Sequence, residues 1–233
     1  MKILLCKKQD FLFLSMNKSQ IIKNTISFVK ESLEGAEGGH DFFHTERVYR
    51  NAIAITEKEA EANKFVVALG ALLHDIADSK FHNGDESIGP KKATAFLEKE
   101  EVNVEIIEHV QNIIKNISFK GGNFKQEFKS LELDIIQDAD RLDAIGAIGI
   151  ARCFNYGGFK NRVIYDPEVK PNLHMSKEEY KSSLAPTINH FYEKLLLLKD
   201  KMNTETGKII AEQRHVFMQT YLHQFYNEWN AVF

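Results

Sequence analysis

His44 lies in one helix-patterned stretch of the chain, with Arg47 one turn further on. His74 and Asp75 are adjacent near the end of a second such stretch, Ala68-Leu69-Gly70-Ala71-Leu72-Leu73-His74-Asp75-Ile76-Ala77-Asp78-Ser79-Lys80, which otherwise reads as a core helix. Asp138, Asp140 and Asp143 cluster in a third. Burying imidazoles and carboxylates without partners is costly, so something must compensate them. An ordinary amphipathic helix has little reason to set Asp-x-Asp-x-x-Asp beside an apolar run. Two imidazoles and two carboxylates drawn from three helices would form a mixed nitrogen and oxygen set with open positions. Such a set suits an octahedral first-row divalent ion better than a closed structural zinc. An open position admits water, and a divalent ion lowers the pKa of that water toward a usable hydroxide.

Taken singly, the same residues have plainer readings. A lone helix histidine such as His44 is an ordinary core or surface group, and His74-Asp75 could cap a helix end. Asp138-Ala139-Asp140-Arg141-Leu142-Asp143 lacks the glycine and glutamate that a calcium loop needs. Gly207-Lys208 has neither the preceding glycine nor the following Ser or Thr of a phosphate loop. No H-E-x-x-H run and no nucleophile elbow occurs. His40, one turn before His44, could support the site or cap the helix. His190, Lys194, Arg214 and His215 could approach from the last third, though no spacing requires it.

The elements that must position these groups are helical. Apolar residues Ile21, Ile22, Ile26, Phe28, Val29 and Leu33 line one face over residues 17–33. A second helix is expected from near His40 to about Ala62, and a third ends near Lys80. Pro90 suits the first turn of the next. Residues 102–117 form another, with Ile106, Ile107, Val110, Ile113, Ile114 and Ile117 inward. Residues 131–154 read as one long helix ended at Asn155-Tyr156-Gly157-Gly158. Residues 159–177 form the longest irregular segment, expected to be a lid or disordered. Residues 190–202 and 206–229 are again amphipathic. The pattern predicts one all-α domain over residues 16–233, with a helical extension at about 178–233. Residues 1–15 are expected to be a poorly ordered extension or an upstream start, whose deletion leaves folding and activity intact.

Composition sets the outer bounds. Of the 233 residues, 43% are hydrophobic and 27% charged, a globular balance with a net charge of -3 that gives no case for a nucleic-acid surface. The two cysteines form no C-x-x-C pair and fit a reducing compartment. No apolar run approaches the roughly 20 residues of a spanning helix. A cytoplasmic protein without membrane contact is expected. The apolar Leu195 to Leu198 run fits a core or a homo-oligomer interface.

His44, then His74-Asp75, then Asp140 within Ala139-Asp140-Arg141-Leu142 resembles the H…HD…D signature of the HD-domain metal-dependent phosphohydrolases, over about residues 40–145. His44-Thr45-Glu46-Arg47-Val48, residues 137–147 and residues 187–195 are similar to a stand-alone bacterial subgroup associated with nucleoside triphosphate pyrophosphohydrolysis. The resemblance implies an all-α helical bundle with His44, His74, Asp75 and Asp140 as metal ligands. It implies that Asp78, one turn past Asp75, orients or deprotonates the attacking water. Asp stands there where Glu is common, and its reach is shorter. Two-metal relatives carry extra histidines before the last Asp; only His82 and His109 lie there, so one ion is expected, of Mn²⁺, Fe²⁺, Co²⁺, Ni²⁺ or Mg²⁺.

Phosphate chemistry also needs positive charge, since catalysis is mostly positioning and electrostatic stabilisation. Arg47, Lys80, Lys115 and Lys120 are the candidate substrate contacts, and Arg141 and Asp143 are candidates for a structural ion pair. The leading expectation is hydrolysis of nucleoside triphosphates to monophosphate and pyrophosphate. The rivals are a 5′-nucleotidase or other phosphoesterase, and a non-catalytic nucleotide-binding regulatory module.

Overall fold

A computed structural model of the chain describes residues 2–35, 41–77, 85, 87–117, 128–175, 179 and 183–232, with residues 2–16 described by their backbone. Among these residues the order is α1 (Lys2–Ser32), α2 (Phe42–Thr56), α3 (Lys64–Leu73), α4 (Ile88–Lys99), α5 (Val104–Asn116), α6 (Leu131–Asp143) and α7 (Gly146–Phe159). Then come α8 (Asn189–Glu193), a 3-10 helix (Leu195–Lys201) and α9 (Glu205–Trp229). No strand occurs among the described residues, so the all-α single-domain expectation is what is observed.

α3 is the centre. Every residue from Phe65 to Leu73 is buried, the pattern of a helix apolar on all sides. α1, α2, α5 and α6 all pack against it. Leu69, Leu72 and Leu73 are essentially inaccessible, each contributing about 2 kcal/mol of apolar burial. A Cβ on Gly70 would come within 2.6 Å of Ile136 Cδ1, so glycine allows α3 and α6 to lie close. α2 packs on both, so the helices carrying His44, His74 and Asp140 form one cluster. Side-chain caps fix where several helices begin: Asp41 for α2, Asn63 for α3, Ser130 for α6 and Thr204 for α9.

Several boundaries differ from those expected. α1 begins at Lys2 rather than near residue 17, because nothing in residues 2–16 breaks a helix. α2 starts at Phe42, where Asp41 caps it, and stops at Thr56. α3 stops at Leu73, so His74 is its C-cap rather than an interior residue. The expected single helix over 131–154 is two. Gly146 adopts φ 72°, which turns the chain between α6 and α7. α7 then continues through Gly157 and Gly158 to Phe159. The helix expected over 190–202 is broken at Lys194, whose φ of -144° and ψ of -58° are not helical.

The last third packs on the first two through α9, which contacts α6, α7 and the 3-10 helix. Tyr165, Phe225, Tyr226 and Trp229 form an aromatic group at its end, with Tyr165 and Trp229 rings 4.9 Å apart edge to face. No helix among the described residues is long and apolar enough to cross a membrane.

Candidate metal centre

The N-cap of α2 sets His44. Asp41 accepts the His44 backbone N–H at 2.9 Å, placing the residue in the first turn. The side chain turns inward and the residue is only 2% exposed. Nδ1 lies 2.7 Å from Asp143 Oδ2, and Nε2 faces Asp140 Oδ1 at 3.5 Å. His74, 8% exposed, ends α3 with Nδ1 at 2.8 Å from the Ala71 carbonyl oxygen. The two rings meet edge to face at 5.5 Å. One ligand atom each from His44, His74 and Asp75 lie within 4.8 Å of one another. Asp140 stands at the open edge, its side chain 42% exposed.

Both histidines therefore engage Nδ1 with an oxygen, which leaves Nε2 as the lone-pair nitrogen of each ring. Burial holds the His44 imidazole below its usual range, against the pull of Asp143 and Asp140, so the ring is neutral near pH 7. Neutral imidazole and ionised carboxylate are the forms that ligate a cation. The donor chemistry and the spacing thus fit a divalent ion.

Behind His44 lies a dense set of charged contacts. Burial alone would raise the Asp143 carboxyl, but hydrogen bonds from His44 and Arg47 and the charge of Arg152 overcome it and bring the group down to about 2. Arg47 Nε donates to Oδ1 at 2.6 Å and Nη2 to Oδ2 at 3.0 Å. Arg152 Nη1 donates to Oδ2 at 2.7 Å and to the Asp143 carbonyl oxygen at 3.1 Å. Arg214 of α9 reaches the same end of α6, donating to the Leu142 carbonyl oxygen and to Asn51 Oδ1.

The ion pair expected between Arg141 and Asp143 is replaced by two separate arrangements. Arg141 turns to Asp138 at 3.6 Å and donates to the Lys201 carbonyl oxygen, while Asp143 turns to Arg47 and Arg152. Successive helix positions diverge by about 100°, which separates Arg141 from Asp143 around α6. Asp138 likewise faces away from His44. It is fully buried and accepts from the backbone N–H groups of Asn203 and Thr204 and from Thr204 Oγ1, each at 2.8 Å.

Of the expected substrate contacts, Arg47 is tied to Asp143, its side chain about one third exposed. Lys115 is exposed and donates to Gln111 along α5 at 2.8 Å. Asp78, Lys80, Lys120, His40 and His82 lie outside the described residues. His190 sits among Lys194 and Arg162. Arg152 was not expected; its signal was a single guanidinium in the small, apolar run that follows Asp143.

The HD domain family matches residues 41–145. The chain is 38% identical over 199 residues to YpgQ of Bacillus subtilis (strain 168), a span covering 85% of this chain and 88% of that protein. The crystal structure of a HD-superfamily hydrolase from Bacillus thuringiensis is similar at 45% identity and TM-score 0.74, covering 92% of this chain and 99% of that one. The structure of Bacillus subtilis YpgQ in complex with ADP is similar at 32% identity and TM-score 0.68, covering 91% and 96%. In sequence and in fold alike the chain belongs to the HD-domain family, as a hydrolase of the metal-dependent phosphohydrolase class.

Proposed function

We propose that the chain hydrolyses nucleoside triphosphates to monophosphate and pyrophosphate. The observation that carries this reading is the convergence of His44, His74 and Asp75 ligand atoms within 4.8 Å, with Asp140 beside them. That a similar protein, YpgQ, has been solved in complex with ADP supports a nucleotide as the substrate class. His44, His74, Asp75 and Asp140 would hold one divalent ion. When bound, such an ion supplies Lewis acidity and activates water. Arg47 holds a positive charge at the rim, oriented by Asp143 before any substrate arrives, which suits a developing phosphate charge. Asp78 is proposed to position or deprotonate the attacking water. Lys80, Lys115 and Lys120 are proposed as further phosphate contacts.

The test is product analysis with a nucleoside triphosphate and Mn²⁺. Pyrophosphate and monophosphate are expected. Orthophosphate released from monophosphates alone would replace this reading with that of a 5′-nucleotidase. His74→Ala and Asp75→Ala should bring turnover to background while circular dichroism retains the helices. Unchanged turnover in both variants would overturn the metal mechanism. Nucleotide affinity without turnover, surviving both substitutions, would point to a regulatory module.

A further inference from the structure

Asp143 is the most heavily engaged side chain near the site, yet it is not one of the expected ligands. Its two oxygens accept from three different residues: His44 Nδ1, Arg47 through two nitrogens, and Arg152. It is 1% exposed. All of these partners are donors, and a guanidinium cannot accept. In the neutral ring, then, the His44 proton that meets Asp143 sits on Nδ1.

We propose that Asp143 is the positioning residue of the metal centre: it holds His44 in the Nδ1–H tautomer with Nε2 turned to the ion, and holds Arg47 and Arg152 beside it. This rests on the metal-dependent reading above and adds to it the group that prepares the ligand. Free imidazole divides its proton between the two nitrogens, and the partner of one nitrogen decides what the other can do. His74 has its own orienting partner, the Ala71 carbonyl oxygen, supplied by the helix that carries it. His44 lies in the first turn of α2 and takes its partner from another helix, so its orientation depends on the α2–α6 contact. The same carboxylate fixes Arg47 one turn after His44, so one group sets both ligand direction and the place of a rim cation. Losing such an orienting partner costs about 10–100-fold in metal affinity.

The experiment titrates the metal-free full chain with Mn²⁺ alone, reading affinity by calorimetry and the His44 tautomer by long-range ¹H–¹⁵N imidazole spectra. Wild type should bind one equivalent and show His44 as the Nδ1–H form. Asp143→Ala should weaken Mn²⁺ binding by about 10–100-fold and shift His44 toward the Nε2–H form. Asp143→Asn keeps the shape and one acceptor. Its carbonyl settles where Oδ2 faces three donors, and its amide then opposes Arg47 Nε. It should keep the tautomer and bind Mn²⁺ with an affinity between those of wild type and Asp143→Ala, and it decides the matter if the alanine variant does not fold. Asp138→Asn is the control: another buried carboxylate of α6, facing α9, whose loss should lower the melting temperature without moving the Mn²⁺ affinity of the folded protein. Wild-type affinity in a folded Asp143→Ala or Asp143→Asn overturns the proposal. So does an equal loss of affinity in Asp138→Asn. Absence of Mn²⁺ binding by wild type itself removes the metal reading, and this inference with it.

Discussion

Asp138 and Asp143 lie on one helix, α6, and meet different neighbours. Asp143 meets His44 and two arginines. Asp138 meets the start of α9, where it satisfies the backbone N–H groups of Asn203 and Thr204. Asp138→Ala should therefore cost about 2–4 kcal/mol, because it strands the buried N–H and Oγ1–H of Thr204 as well as the part-buried Asn203 N–H. Urea denaturation should show a lower midpoint at an unchanged slope; a change below about 0.5 kcal/mol would contradict the anchoring role. The sequence pattern groups these aspartates in one cluster, and the structure divides them. Asp140 and Asp143 are three apart and share a helix face, whereas Asp138 falls on the other side at about 100° per residue. His44, His74-Asp75 and Asp140 were legible as a set through their resemblance to the H…HD…D signature, and the structure brings His44, His74 and Asp75 together with Asp140 beside His44. Arg152 was not legible. On an unbroken helix, nine residues from Asp143 amount to about 180° of rotation, which would point it away.

The break that returns Arg152 to Asp143 belongs to the elements. α6 and α7 are joined at Gly146, whose φ of 72° is left-handed. A Cβ there would also stand 3.0–3.2 Å from the Arg214 side chain. Gly146→Ala is expected to cost about 1–2 kcal/mol from backbone strain, with crowding of Arg214 added. Gly70→Ala is the useful comparison. Its Cβ would meet the tip of Ile136, a side chain that can rotate, and alanine gains about 1 kcal/mol of helix propensity. Chemical denaturation of both variants should find Gly146→Ala the more destabilised; the reverse order would mean that the α3–α6 contact is the tighter constraint. Helix periodicity could not reveal this junction, since the apolar pattern runs through it. One glycine among several small residues carries the turn, distinguished by its left-handed backbone and its contact with α9.

Across the whole molecule, α9 joins the metal-site helices to the C-terminal third through Asp138, Leu142 and Asn51. In that third the half-buried His190 is held in its neutral form. Burial, with the nearby charges of Lys194 and Arg162, pushes its imidazole down to about 3. An unfolded histidine titrates near about 6.5. The unfolded state thus takes up a proton that the folded state refuses. Stability is fully present above about pH 6.5 and falls as the pH drops toward 3, at up to about 1.4 kcal/mol per unit. Residual exposure of the ring screens its charge and makes the observed slope smaller. His44, also lowered by burial, adds to the same trend, so His190→Gln should reduce the acid sensitivity without abolishing it. Urea midpoints compared between pH 7.5 and pH 5 test this directly. The wild type should lose more stability over that interval than the variant, and equal losses would show that the unfavourable charging of His190 is relieved by movement of Lys194 and Arg162. The part that Arg162 plays could not be read from the chain, because Arg162 is brought to His190 by the return of the segment after α7 onto Thr187 and Ile188.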